Sequence, residues 1–196
     1  MDPRLPEYAD PTDIGGKYVG MPYGLSEAKA GAISNSDVSF LNEELRSQDA
    51  PNYIFTSAQV LFSMAEAAQR GWISGDAEAL YYQGIEASLD QYGVSNGYAT
   101  YITNTWVKYD ASKAMEQILV QKWIANYLNG YESWAEWRRT GYPDLKPGVD
   151  ALNESKQIPV RQAYPLFELN LNSDNYQAVV ARQGADGLDT PVWWDK

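Results

Sequence analysis

The acid–base candidates that spacing offers in this chain are paired carboxylates. None of the 196 residues is Cys or His, which removes thiol nucleophiles, disulfides, zinc sites of the usual kind, imidazole acid–base chemistry and any Ser-His-Asp triad. Two acid pairs stand at suggestive spacings, Glu43 with Glu44 and Glu132 with Glu136, the latter one turn apart on a helix face. A two-carboxylate glycosidase needs its acids facing each other across a cleft at about 5–10 Å. A chain with 26 acids offers such pairs by chance, and solvated surface charge is the better reading. The run "GADGLD" at 184–189 could give oxygen ligands to calcium, but it lacks the EF-hand spacing, and a surface turn is the better reading. No catalytic set, metal or cofactor is expected.

Binding chemistry has better raw material. Seven Trp and 15 Tyr are many for so short a chain, and both side chains join apolar area to a polar handle, which suits cores, wet interfaces and sugar faces alike. Tyr18, Tyr23 and Trp106 fall outside helical stripes, in loops rich in Gly, Pro and Asn. Such a ring either docks inward, the commoner fate, or waits for a partner. These three are the candidate ligand-stacking residues. "NGYESWAEWRRTGYP" at 129–143 concentrates four aromatics and paired arginines. Tyr131 and Trp134 continue a stripe from Val120 through Trp123 and Tyr127 at steps of three and four, so this stretch reads as core and structural staple. On that reading Trp134→Ala costs about 3–5 kcal/mol. Arg138 and Arg139 fall in the last helical turn, where cations offset the helix dipole.

The net charge is −11, with 26 acids against 15 bases. No basic patch is available to neutralise phosphates, so neither nucleic acid nor an anionic membrane surface is an expected partner. No apolar run approaches the roughly 18 residues of a membrane span. The opening "MDPRLPEYADP" lacks the basic and apolar regions of a signal peptide and reads as a cut inside a larger protein.

The elements that would carry these residues are helical. Residues 1–52 read as an irregular arm, with turns at Gly15-Gly16 and around Pro22, laid against something else. In residues 53–141 the pattern turns helical. "TSAQVLFSMAEAAQRG" has Thr56 or Ser57 as cap, Gly71 as stop, and a face of Val60, Leu61, Met64, Ala65 and Ala68. "AEALYYQGIEASLDQYG" follows, with a face of Leu80, Tyr81, Ile85, Ser88 and Leu89, and ends at Gly93. The short connection makes the two an antiparallel hairpin of tetratricopeptide character, with small residues Ala65, Ala68 and Ala87 where helices cross. Asp110 is expected to cap one long helix that runs through Gly130 to Gly141. Residues 142–196 read as a loop-rich tail, extended over "QIPVRQAYPLFELNLN", with one short helix capped by Asp174 over "NYQAVVARQG".

Several phrases together carry a family resemblance: "DPRLPEYADP…GKYVGMPYGLS", "AEAAQRGWISGDAEALYYQGIEASL", "ILVQKWIANYLNGYESWAEWRRTGYPDL", "IPVRQAYPLFELNLNSDNYQAVVARQG" and "VWWDK". From Asp2 to Asp195 the chain resembles the C-terminal part of a SusD/RagB protein, of the subgroup whose signature helix reads "NGYE-W-EWRRTGYP". The resemblance implies a mostly α fold of tetratricopeptide-like hairpins with long irregular loops. It implies surface lipoproteins of the Bacteroidetes outer membrane that bind glycans or other nutrients and act as lids on a TonB-dependent, SusC-like transporter, without catalysis. Such proteins are more than twice as long, and the anchor Cys is not in this chain. Their ligand sites vary, so no binding residue carries over by motif, and the motif positions themselves read as scaffold. A helical-repeat scaffold for protein partners stays open as the alternative, with a two-carboxylate glycosidase last.

Overall fold

A computed structural model describes residues 1–195. Nine α-helices occur among them, in the order α1 Leu5–Tyr8, α2 Glu27–Gly31, α3 Ser57–Gln69, α4 Ala77–Gln91, α5 Tyr98–Tyr101, α6 Ala114–Ala125, α7 Gly130–Thr140, α8 Leu166–Leu171 and α9 Ser173–Gln183. The described residues form no strand beyond an isolated antiparallel bridge between Ala9 and Leu41. The chain divides into two units. The first joins Met1–Met21 to Ser34–Pro143, and the second joins Pro22–Ile33 to the chain from Asp144 on.

The first unit is built on the hairpin of α3 and α4. The side chains of Thr56 and Asp76 accept from the amides of Gln59 and Ala79 and start the two helices. Gly71 at φ 72° lets the chain leave α3, with its own amide and that of Trp72 turned back onto Ala68 and Ala67. The helices cross closest at Gly84, where a Cβ would lie 2.7 Å from the Phe62 ring. Phe62, Ala65, Tyr81, Ile85 and Leu89 form the core with Ile118 and Ala125 of α6 and with Tyr101 and Val107 of the connector.

The α4 face is as its periodicity indicates. The α3 face is rotated. Val60 and Met64 are 37% and 40% exposed, while Gln59 and Glu66 are buried beside Ala58, Phe62 and Ala65. Gln59 donates to Glu132, and Glu66 pairs with Arg139, both on α7. Two polar letters therefore belong to the buried side, where apolar periodicity does not look for them.

The long helix is two helices. α6 begins after Lys113, and Asp110 instead caps the turn before it by accepting from the amide and hydroxyl of Ser112. α6 ends at Ala125, Leu128 takes φ 69°, and α7 starts afresh at Gly130. The supposed aromatic stripe is not a core face: Trp123 and Tyr131 are 38% and 75% exposed, Trp134 is half-buried, and no α7 residue is fully buried. The break swings α7 so that its ion-pairing side, not its aromatic side, meets α3.

The amino-terminal segment docks into the same core. Arg4 is fully buried. It donates to Asp2, to Ser88 Oγ at 2.8 Å, to Tyr101 Oη at 3.0 Å and to Gln121 Oε1 at 3.0 Å. Burial pushes the Asp2 carboxyl up, but the Arg4 guanidinium overrides it and holds the group below the usual aspartate range. Tyr8 stacks on Tyr127 at 4.1 Å, and each hydroxyl donates to a backbone carbonyl of the other's segment.

In the second unit Gly24 and Gly148 touch backbone to backbone; a Cβ on Gly24 would lie 2.6 Å from the Gly148 Cα. Asp150 accepts from the Ser26 amide and the Lys29 amine, tying α2 to the tail. The stretch expected to be extended holds α8, and Asn172, not Asp174, stands before α9. Asp186 accepts from Arg161, the Tyr164 amide and the Tyr176 hydroxyl, and Asp189 from Asn153 and Ser155. The carboxylates of the "GADGLD" turn thus brace loops, and among the described residues no acids gather as a metal-binding group.

Candidate functional site

After α5 the chain makes a tight excursion, residues 102–110, before entering α6. The amides of Val107 and Lys108 both donate to the Asn104 carbonyl, and the Trp106 amide donates to the Asn104 side chain. The hairpin holds this loop from beneath. The buried Tyr81 hydroxyl donates to the Val107 carbonyl at 2.7 Å, and the Tyr109 amide donates to the Tyr82 hydroxyl at 2.9 Å. From the other side Gln117 of α6 donates to the Lys108 carbonyl at 2.8 Å and accepts from the Asp110 amide at 2.8 Å. Burial raises the Tyr81 and Tyr109 phenols above their ordinary range, so both stay neutral donors at any physiological pH. Val107, 3% exposed, plugs the loop into the core.

Trp106 is the product of this anchoring. Its neighbour is pinned inward, and its own indole is 85% exposed. It lines a hollow of about 340 Å³ between the loop and the length of α6, where Asn104, Thr105, Lys113 and Glu116 supply polar groups and Val120 and Ile124 an apolar floor. A flat ring on a fixed backbone, ringed by hydrogen-bonding side chains, can stack on the apolar face of a sugar and bond its hydroxyls. The ordering cost is met largely by folding.

The other two candidates lie elsewhere. Tyr18 is half-buried and lines a hollow of about 370 Å³ in the first unit with Leu5, Val19, Phe40, Leu41 and Tyr127. Tyr23, in the second unit, is 73% exposed beside a hollow of about 310 Å³ lined by Leu25, Asp150, Leu152 and Leu188. The expectation that such rings dock inward thus fails for Tyr23 and Trp106. A larger hollow of about 530 Å³ opens in the first unit beside Leu5, Tyr8, Trp123, Ile124, Tyr127 and Leu128. Its walls are overwhelmingly apolar, which fits a greasy segment better than a hydroxyl-rich ligand.

Of the acid pairs, Glu43 and Glu44 stand exposed on the surface, and Glu132 and Glu136 are tied into structure. Arg139 presents both Nη atoms to the Glu66 carboxylate at 2.7 Å each and reaches Glu136 at 2.7 Å. Arg70 closes on Glu66 at 2.8 Å, and the buried Lys122 on Glu136 at 3.1 Å. Burial alone would raise the Glu66 carboxyl; its arginines reverse that and leave it below the usual glutamate range. Glu132 accepts from Gln59. This is a staple of ion pairs and not a cleft of facing acids. Periodicity could not reveal it, because the partners lie 73 positions apart.

Residues 1–165 match a family profile described as SusD-like, starch-binding, associating with outer membrane. The chain belongs to the SusD-like family. Among solved structures it is similar to a chitin-binding SusD homolog from Flavobacterium johnsoniae, at 29% identity and a TM-score of 0.87 over 100% of this chain and 46% of that one. It is also similar to a chitin-binding protein, at 30% identity and a TM-score of 0.84 over 100% of this chain and 47% of that one. A SusD homolog from Bacteroides uniformis ATCC 8492 gives 27% identity and a TM-score of 0.86 over 100% and 47%. The chain therefore spans about half the length of these relatives. No curated protein sequence matches it. The helical fold of the family is the fold described above, and the family is one of outer-membrane-associated, glycan-binding proteins. No described helix is long and apolar enough to cross a membrane.

Proposed function

We propose that this SusD-like chain belongs to a non-catalytic, glycan-binding component of a TonB-dependent uptake complex, anchored by lipid at the outer-membrane surface beside a SusC-like transporter. Trp106 is its principal sugar platform, and Tyr18 and Tyr23, each beside its own hollow, are separate candidate sugar contacts. The observation that carries the reading is the rigid loop around Trp106. Hydrogen bonds within its own turn and to Tyr81, Tyr82 and Gln117 hold residues 104–110 in place, and all of them leave the indole in solvent. A ring that served only the fold would have docked. The starch-binding description of the family and the chitin-binding relatives favour a neutral polysaccharide as ligand. The chain's net charge of −11 points the same way, since it repels polyanionic glycans.

Intrinsic tryptophan fluorescence and calorimetric titration with chitin and maltose oligosaccharides test this. Binding to one series, weakened at least tenfold in Trp106→Ala, is expected. Unchanged affinity in that variant, or binding to peptides and to neither sugar series, would overturn the reading. Release of shorter sugars by the purified protein would overturn its non-catalytic part.

A further inference from the structure

Two Asn-Gly pairs occur in the chain, Asn96-Gly97 and Asn129-Gly130. In such a pair the glycine amide nitrogen can attack the carbonyl carbon of the asparagine side chain, because no Cβ on the following residue restricts the approach. The fold decides the outcome through its hold on that nitrogen and on the backbone beside it.

The first pair is locked. It lies in the short helical turn Ser95–Gly97, and the Gly97 amide donates to the Val94 carbonyl at 3.0 Å. Gly97 also packs so closely on the amino-terminal segment that a Cβ would lie 2.6 Å from Pro3 Cγ. The second pair is open. Asn129 ends the turn after α6, and Gly130 begins α7. The first amides of a helix have no partner along the helix, and the Asn129 side chain does not cap them. Among the described residues nothing else accepts from the Gly130 amide, and Gly130 is exposed. Apart from its chain neighbours and its own helix backbone, nothing lies within 4 Å of where its Cβ would stand. Asn129, at φ −95° and ψ 70°, belongs to neither helix and follows Leu128 at φ 69°. Its side chain is tethered where Nδ2 donates to the Ile54 carbonyl at 3.2 Å.

We infer that Asn129 is a site of spontaneous deamidation, and that the change releases the segment leading into α3. The Gly130 amide gives its proton to solvent base, its nitrogen bonds to Asn129 Cγ, and the side-chain nitrogen leaves as ammonia. Water then opens the succinimide at one of its two carbonyls. One opening gives aspartate. The other gives isoaspartate, whose main chain is longer by the Cβ carbon. Either product adds one negative charge to the net −11. Either also sets a carboxylate oxygen in place of the donor that faces the Ile54 carbonyl, so an attraction becomes a repulsion. Residues 53–55 lose that anchor, and Ile54 and Phe55 are already 79% and 71% exposed. A carboxylate at the start of α7 suits the helix dipole, so α7 itself keeps its place.

The test is prolonged incubation of the protein at mildly alkaline pH and body temperature, in buffer and in urea, followed by proteolysis and mass spectrometry. In buffer the peptide holding Asn129 should gain one dalton, as a mixture of aspartate and isoaspartate, while the Asn96 peptide stays unchanged. In urea, where the fold no longer separates them, both pairs should convert at similar rates. An unchanged Asn129 in buffer would overturn the site. Equal conversion at Asn96 in buffer, or a wide gap between the pairs in urea, would overturn selection by the fold. Gly130→Ala should slow conversion at Asn129 by about tenfold or more and keep the melting temperature, since its Cβ meets open space. An undiminished rate would exclude attack by that nitrogen. Asn129→Asp stands for the aged chain. Its hydrogen exchange should quicken at residues 53–56 and stay at the wild-type rate in the α3–α4 core. Wild-type exchange at 53–56 in that variant would overturn the release.

Discussion

Residues 129–143 and residues 102–110 both pack Trp and Tyr between polar residues, the first after the turn that ends α6 and the second directly after α5. In the first segment the charges face inward, with Arg139 and Glu136 joined to α3 and α6, while Tyr131 is left in solvent. In the second the backbone carbonyls face inward onto Tyr81 and Gln117, and Trp106 is left in solvent. What decides an aromatic ring's fate here is which polar groups of its own segment find partners on a neighbouring element. An unsatisfied buried polar group costs more than one exposed ring, so polar anchoring sets the orientation and the rings follow. The first segment is therefore a staple and the second a display loop, and each substitution below strains that distinction.

Arg139→Ala should have the largest effect. It leaves the Glu66 carboxylate, 4% exposed, with Arg70 alone. Breaking a buried pair costs about 3–5 kcal/mol. With the Arg139 side chain a third exposed, solvent screening brings the expectation to about 2–3 kcal/mol by urea unfolding. Because the Glu66 pKa is depressed by folding, its stabilisation is fully present above the ordinary value of 4.5 and is lost as pH falls below it. The wild type should lose stability from about pH 4.5 downward more steeply than Arg139→Ala does. Parallel acid profiles would mean that the staple is ornamental and the comparison misjudged.

Gln117→Ala comes next. It removes the group that satisfies the Lys108 carbonyl and the Asp110 amide, for an expected cost of about 1–3 kcal/mol. Hydrogen exchange should quicken at residues 106–110 more than in the α3–α4 core. A loop that stays protected would mean that Tyr81 and Tyr82 alone hold it. Trp134→Ala, half-buried under the Arg138 guanidinium at 3.9 Å, should cost about 1–2 kcal/mol, not the 3–5 of a core aromatic. A larger loss would return α7 to the core.

The residues that misled are instructive. The hairpin was legible because the Thr56 cap, both glycine stops and the α4 face are local signals. The α3 face was not, since Gln59 and Glu66 are buried by partners on a helix far along the sequence. The break before Gly130 was hidden because the left-handed residue is Leu128, a type that rarely takes that conformation. Arg4 falls in a stretch that reads as an irregular arm laid against something else, and its burial is explained by Asp2 and the distant Ser88, Tyr101 and Gln121. Trp106 was legible as an aromatic outside any stripe. Its anchors, Tyr81 and Gln117, looked like ordinary helix residues.

Trp106→Ala should have the smallest effect on the fold and the most informative one on binding. With the indole 85% exposed, little apolar area is returned to water, and the loop's bonds run through backbone atoms that the substitution leaves in place. Unfolding free energy should stay within about 0.5 kcal/mol of wild type, as for surface changes that touch no buried group. Denaturant unfolding and sugar titration on the same preparation separate the two roles. Preserved stability with lost affinity is the signature of a display loop. Lost stability with lost affinity would show the ring to be part of the fold, and residues 102–110 would then be a second staple.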